Sequence, residues 1–183
     1  MRRAEPERPG HYSPHTCALA PLLPDATESA LSEGCRYASA SGEDVFTAFL
    51  IEQGLAPLWS ERISECDSSL PLSEEALDTL HQARLGATGV YLLQRHNLQR
   101  ARDILDSAGV PHSVIKGSHS REIYYDVPAL RPAVDIDILV KPDDRLAAIR
   151  AFQAQGFTFY GPAHNISHEC NLIKGKTAID LHW

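Results

Sequence analysis

Two aspartates that alternate with apolar residues are the first candidates for chemistry in this sequence. Asp135 and Asp137 lie in the segment 134–140, where β-branched residues occupy the alternate positions. Successive side chains of a strand point to opposite faces, so both carboxylates project from the same face. Two neighbouring carboxylates repel each other, and a divalent cation that prefers oxygen ligands, such as Mg²⁺, relieves that repulsion. The spacing therefore predicts a metal site on one face of a strand.

A strand that runs into a glycine-serine pair precedes the two aspartates. The predicted strand covers 112–116 and is followed by Gly117 and Ser118, where a short helix to Tyr125 begins. Glycine lets the backbone approach a ligand closely, and the free N–H groups at the start of a helix bind phosphate. Alone, such a pair is more typical of a turn with a helix cap. Together with the two aspartates, it indicates a site for a nucleotide and a metal ion.

A third aspartate lies near the end of the sequence, in a second alternating segment. Asp180 and His182 alternate with apolar residues, so they share one face of the strand predicted over 177–182. We expect this strand to form a hairpin with the segment 168–173. If the hairpin lies beside the strand of segment 134–140, Asp180 reaches the other two aspartates. Otherwise it is a solvent-facing carboxylate near the end of the chain.

These motifs together resemble the polymerase-beta-type nucleotidyltransferase superfamily. That superfamily carries a strand, a Gly-Ser or Gly-Gly turn, a helix, an Asp-x-Asp strand and a third acidic residue on a later strand. The local sequence is similar to one branch of it, a large bacterial family of mostly uncharacterised nucleotidyltransferases. The resemblance covers roughly the residues from Glu43 onward. The residues that carry it are Lys116 with Gly117, Arg131, the segment 135–140 and the segment 180–183.

The resemblance implies transfer of a nucleoside monophosphate from a nucleoside triphosphate, with Mg²⁺ or Mn²⁺, to an acceptor hydroxyl. Asp180 would also activate the acceptor hydroxyl as a general base. The acceptor, whether a small molecule, a protein or an RNA end, is left open. The implied catalytic residues and metal ligands are Asp135, Asp137 and Asp180. The implied nucleotide-binding residues are Lys116, Gly117, Ser118 and Arg131, although from the residues alone Lys116 and Arg131 fit a surface position as well.

Composition and charge exclude several classes of protein. The chain has 183 residues and a formal net charge of −7, which argues against a protein that coats nucleic acid with a basic surface. The sequence contains no Cys-x-x-Cys pair, so neither a zinc ribbon nor a disulfide framework is expected. Reduced thiols suit a cytoplasmic protein. No apolar run approaches the ~20 residues that a membrane-spanning helix needs. The four cysteines are Cys17, Cys35, Cys66 and Cys170.

The order of the predicted elements indicates an α+β fold, in which a helical N-terminal region precedes a small mixed β-sheet with helices on one face. Residues 1–42 are rich in Pro, Ser, Glu and Ala and are predicted to form a mobile arm. A helical support region is predicted over 43–110, with its longest helix between Ser73 and Ala108. The nucleotidyltransferase-like core is predicted over 111–183 and is expected to be incomplete at its C-terminal end.

Two other functions are consistent with these residues. A metal-dependent glycosyltransferase also binds a nucleotide diphosphate through Asp-x-Asp, but the Gly-Ser pair and the third aspartate argue against it. A non-catalytic nucleotide-binding or interaction module is the second alternative. It is suggested by the end of the sequence within an apolar strand pattern at Ile179, Leu181 and Trp183, where the family continues into further helices. On this view an exposed C-terminal apolar patch promotes self-association.

Overall fold

The fold is helical in its N-terminal part and contains a mixed sheet in its C-terminal part. The computed structural model describes residues 13–131, 133, 135–160 and 168–183. Within these residues the chain forms seven α-helices and one five-stranded sheet, so the predicted α+β class is confirmed. The chain divides into two compact units between Arg84 and Leu85. Among the described residues, none of the helices combines the length and the apolarity that crossing a lipid bilayer requires.

The first unit is built around one buried tryptophan. Trp59 is fully buried, and its indole N–H donates to the carbonyl oxygen of Ala18 at 2.8 Å. The ring also lies against Gly34, where an added Cβ would approach Trp59 Cη2 to 2.6 Å, so this position needs a glycine. The helices of this unit are α1 (Pro14–Leu19), α2 (Glu28–Ser41), α3 (Glu43–Glu52), α4 (Ala56–Ser64) and the first turns of α5 (Glu74–Ser107).

The structure differs from the mobile arm predicted for residues 1–42. Residues 1–12 lie outside the described residues, but most of 13–41 is helical and contributes to the core. Leu31, Cys35 and Ala38 follow each other at helical spacing and are all buried. The proline content suggested an irregular segment, but Pro14 begins α1 and is compatible with a helix there. At the first helical position the backbone N–H has no intrahelical partner, so its absence in proline has no cost.

The division between the two units also differs from the predicted boundary near residue 110. It falls inside α5, because the two ends of this helix belong to different cores. Leu80 packs in the core of the first unit, whereas Ala101 and Leu105 pack in the core of the second. The segment 43–110 is therefore not a unit of its own.

The second unit contains a sheet in which one pair of neighbouring strands is parallel. The strand order is β1-β2-β5-β4-β3; β2 and β5 run parallel, and the other neighbours are antiparallel. The predicted hairpin is confirmed, with β4 and β5 joined at Gly175. The strands are β1 (His112–Val114), β2 (Ile136–Val140), β3 (Thr158–Tyr160), β4 (Glu169–Lys174) and β5 (Thr177–His182). The remaining helices are α6 (Lys116–Tyr124) and α7 (Arg145–Ala154).

One face of this sheet is apolar and covered by helices, and the other face is polar. Ala101 and Leu105 of α5, together with Ala148 and Phe152 of α7, are buried against the apolar face. Alternate residues of the central strands point to the polar face, which carries the predicted aspartates. The buried residues on the apolar face are Ile136, Ile138, Val140, Cys170, Leu172, Ile179 and Leu181.

The prediction of an exposed C-terminal apolar patch is wrong. Ile179 and Leu181 are fully buried, and Trp183 packs against the same core. The reason is that β5 lies between β2 and β4, so both of its edges are paired and helices cover its apolar face. The self-association that was expected from this patch has no support in the structure.

The buried thiols provide a test of the helical structure of residues 13–41. Burial raises the pKa of Cys35 and of Cys170 to about 11 each, and the thiolate is the reactive species. We expect an alkylating reagent at pH 8 to label the partly exposed Cys66 first, and to label Cys17, Cys35 and Cys170 only after unfolding. The measurement is labelling followed by mass spectrometry, and Cys66→Ser should remove the fast phase. Rapid labelling of Cys17 and Cys35 would instead support a mobile arm.

Candidate functional site

The candidate site lies on the polar face of the sheet, where β2 and β5 run side by side. The parallel register places Asp137 opposite Asp180, and Asp135 immediately precedes β2. One carboxylate oxygen from each of Asp135, Asp137 and Asp180 lies within 4.8 Å of the other two. The structure therefore brings the three sequence-predicted aspartates together.

The three carboxylates create an unfavourable concentration of negative charge. Asp137 is 1% exposed, and the other two aspartates are half-buried. Burial, and next the charges of Asp137 and Asp180, raise the pKa of Asp135 above its usual range. A cation bound between the carboxylates would relieve this repulsion. A donor set made only of carboxylate oxygens fits Mg²⁺ or Mn²⁺ better than a softer metal.

Lys116 contributes a positive charge next to the aspartates. Its ammonium group donates to Asp137 Oδ1 at 2.6 Å, and this hydrogen bond is the main cause that raises the pKa of Lys116. The residue has a φ of 52° at the junction between β1 and α6, a backbone conformation that is uncommon for residues other than glycine. Because about half of the side chain remains exposed, the ammonium group is accessible from the polar face.

His182 and Glu169 also belong to this polar cluster, although the sequence motifs predicted a role for neither of them. His182 Nε2 lies 2.9 Å from Asp137 Oδ1, and its Nδ1 lies 3.4 Å from Glu169 Oε2. Asn171, another neighbour, donates a hydrogen bond to Asp180 Oδ1. The signal that could have found them is the hairpin register, because counting back from the turn pairs Asn171 with Asp180 and Glu169 with His182.

The predicted nucleotide-binding residues Gly117, Ser118 and Arg131 lie at the start of α6. An added Cβ at Gly117 would lie 3.8 Å from Arg131 Nη1, so the arginine is beside the first turn. The Ser118 hydroxyl, in contrast, is buried and donates to the carbonyl oxygen of Asp135 at 3.1 Å. The hydroxyl is thus bound to the backbone of this segment, and the predicted phosphate contact of Ser118 is the one through its N–H group at the start of α6.

A buried polar network lies on the other side of α6. Arg121 is 1% exposed, and its Nη1 donates to Gln94 Oε1 at 2.7 Å. Gln94 Nε2 in turn donates to the carbonyl oxygen of Ala133 at 2.7 Å. The guanidinium group lies 4.9 Å from the centre of the Tyr91 ring, and burial lowers the pKa of Arg121. No sequence motif indicates this network, since an isolated arginine and glutamine have no recognisable spacing.

Comparison with known families identifies the group to which the chain belongs. A family model described as uncharacterised nucleotidyltransferase matches residues 39–183. No match was found among curated proteins or among solved structures. The matched range includes the whole sheet and every residue of the candidate site, which confirms the resemblance predicted from the motifs. The chain is therefore a member of the family of uncharacterised nucleotidyltransferases.

Proposed function

We propose that the protein transfers a nucleoside monophosphate from a nucleoside triphosphate to a hydroxyl group of an acceptor. The observation that carries this proposal is the convergence of Asp135, Asp137 and Asp180, whose oxygens lie within 4.8 Å of one another, in a member of a nucleotidyltransferase family. The three residues fit the role of divalent-cation ligands because all their donor atoms are carboxylate oxygens.

In this proposal the aspartates hold the cations, and Asp180 also accepts a proton. Bound Mg²⁺ or Mn²⁺ would stabilise the charge on the entering and leaving oxygens of an in-line displacement at the α-phosphorus, with pyrophosphate as the leaving group. Asn171 occupies one oxygen of Asp180 with a hydrogen bond and so orients the carboxylate. We assign to the Asp180 carboxylate the removal of the proton from the acceptor hydroxyl as a general base.

The start of α6 holds the triphosphate in this proposal. The first N–H groups of a helix lack intrahelical partners, and those of Gly117 and Ser118 are available to phosphate oxygens. Lys116 and Arg131 supply positive charge on either side of this turn. Positioning and charge neutralisation by these residues account for the rate acceleration, since phosphoryl chemistry needs little covalent participation by the protein.

The activity itself is tested by release of pyrophosphate. We expect the protein to release pyrophosphate from a nucleoside triphosphate and Mg²⁺ when it is given the correct acceptor from a panel of small molecules, proteins and RNA ends. Asp137→Asn should slow this release by roughly 100-fold or more, because loss of a metal ligand removes several kcal/mol of charge stabilisation. Tight nucleotide binding without turnover for any acceptor would favour the non-catalytic binding module.

Removal of one carboxylate should stabilise the protein in the absence of a cation. The pKa of Asp135 is higher in the folded chain than the ordinary value of 3.8. In the pH range between 3.8 and the raised pKa, the folded state therefore binds more protons than the unfolded state. The free energy of unfolding therefore falls as the pH rises through this range. The destabilisation caused by the charged Asp135 carboxylate persists at neutral pH. At pH 7 and without metal, we expect Asp135→Asn to melt at a higher temperature than the wild type.

Mg²⁺ should reverse this order of stability. It should raise the melting temperature of the wild type, because it binds only the folded state, and raise that of Asp135→Asn by less, because Asp137 and Asp180 alone bind the cation more weakly. Asp143→Asn, at an exposed position outside the cluster, is the matched control and should respond to Mg²⁺ like the wild type. The same Mg²⁺ response in Asp135→Asn and in the wild type would remove Asp135 from the metal site.

The role of Gly117 is tested by a pair of substitutions. An added Cβ at Gly117 would make only ordinary contacts, at 3.5 Å from Ala133 Cβ, so Gly117→Ala should fold and bind nucleotide. The branched side chain of Gly117→Val should block the approach of phosphate and weaken triphosphate affinity about tenfold or more, a loss of at least ~1.4 kcal/mol. Isothermal titration with a Mg²⁺–nucleotide complex measures both. Equal affinity in the two variants would place the phosphates elsewhere and favour the glycosyltransferase alternative.

A further inference from the structure

The buried guanidinium group of Arg121 has no role in the transfer reaction proposed above. Removing an arginine from water costs several kcal/mol, and an apolar side chain of similar volume often serves stability better. Yet Arg121 is among the largest fully buried side chains in the described part of the chain. In the same part of the chain, no hydrogen-bond partner reaches its Nε, and the nearest carboxylate, of Glu122, is 3.9 Å away. Stability alone therefore does not account for this residue.

The contacts of Arg121 lead to the backbone just before β2. Its Nη1 donates to Gln94 Oε1 at 2.7 Å, which fixes the orientation of the Gln94 amide. With the oxygen of that amide engaged, its NH₂ group faces the carbonyl oxygen of Ala133, also at 2.7 Å. Arg121 thus acts on the backbone through Gln94, and the hydrogen bonds form a chain from α6 through α5 to Ala133.

A second contact from α6 holds the same stretch of backbone. Ser118 lies three residues before Arg121, on the same side of the helix. Its buried hydroxyl donates to the carbonyl oxygen of Asp135 at 3.1 Å. The carbonyl groups of Ala133 and Asp135 are therefore both bound by side chains that are themselves fixed by burial.

Asp135 needs such support more than Asp137 does. Asp137 is inside β2, where the parallel register with β5 sets its position opposite Asp180. Asp135 precedes the first residue of β2, Ile136, and lies outside the register of paired residues. Its carboxylate nevertheless has to lie close to the other two for a cation to bind all three.

We propose that Arg121, Gln94 and Ser118 are positioning residues that hold the Asp135 carboxylate in place for the divalent cation. The inference rests on the proposed function in one respect, namely that the three aspartates bind a cation. Loss of a group that orients a metal ligand commonly weakens metal affinity 10- to 100-fold. We expect a weakening of about this size when the network is broken, with Asp137 and Asp180 still providing residual binding.

The test uses Mn²⁺ as the probe and needs no catalytic activity. Arg121→Met keeps the length and apolar volume of the side chain, and Arg150→Met, at an exposed position of α7, is the matched control. Free Mn²⁺ is measured by its electron paramagnetic resonance signal during titration of each full-length variant. We expect Arg121→Met to bind Mn²⁺ about 10- to 100-fold more weakly than Arg150→Met while melting within a few degrees of it. Equal affinities would overturn the proposal.

A double-mutant cycle separates positioning from a general loss of structure. If Arg121 acts through Asp135, Arg121→Met should weaken Mn²⁺ binding little further in an Asp135→Asn background. Additive effects in that background would overturn the proposal. In an Asp180→Asn background, where Asp135 remains a ligand, the full effect of Arg121→Met should persist. If Arg121→Met fails to fold, Ser118→Ala, which removes one hydroxyl group, takes its place in both comparisons.

The carbonyl-carbon chemical shifts measured by nuclear magnetic resonance distinguish failure of this inference from failure of the proposed function. A wild-type chain that binds no Mn²⁺ would contradict the proposed metal site. The carbonyl-carbon chemical shifts of Ala133 and Asp135 should still differ between Arg121→Met and Arg150→Met, because the hydrogen bonds that these carbonyl oxygens accept from Gln94 and Ser118 are altered when Arg121 is lost. Unchanged carbonyl shifts at these two residues would overturn the positioning role whatever the result with Mn²⁺.

Discussion

The parallel pairing of β2 with β5 is the interaction on which the rest of the second unit depends. It places Asp137 beside Asp180, although 43 positions separate them in the sequence. The same pairing puts the C-terminal strand in the middle of the sheet, where its apolar residues are buried on one face. The candidate site and the hydrophobic core are thus two faces of one pair of strands, and a change that displaced β5 would affect both.

The polar face is electrostatically unfavourable, and the protein compensates for this only in part. The positive charge of Lys116 and the imidazole of His182 are both directed at Asp137. Asp135 is instead affected mainly by burial and by its carboxylate neighbours, which raise its pKa. A site of this kind gains from cation binding, because the cation removes repulsion that is already present in the folded chain. The helices packed on the apolar face supply the stability that the polar face lacks.

Hydrophobic packing and the buried network of Arg121 and Gln94 have different effects: the packing stabilises the fold, and the network fixes the position of the backbone near Asp135. Hydrophobic packing of α5 and α7 against the sheet holds β2 in place. It does not determine the backbone before the strand begins, where Asp135 lies. Directional hydrogen bonds can fix a short irregular segment in a way that apolar contacts cannot, provided that every buried partner is well oriented. This accounts for a polar network at a position where apolar side chains would pack more simply.

Local sequence patterns determined several local features of this structure. The alternation around Asp135 and Asp137 placed both carboxylates on one face, and the hairpin around Gly175 followed from two short alternating segments. Both features depend on near neighbours in the sequence, so the strand period of two reveals them. Only the tertiary structure decided that β5 is inserted beside β2, that residues 13–41 pack as helices around Trp59, and that the Ser118 hydroxyl binds the backbone. These features depend on contacts between distant segments, whose partners no local period specifies.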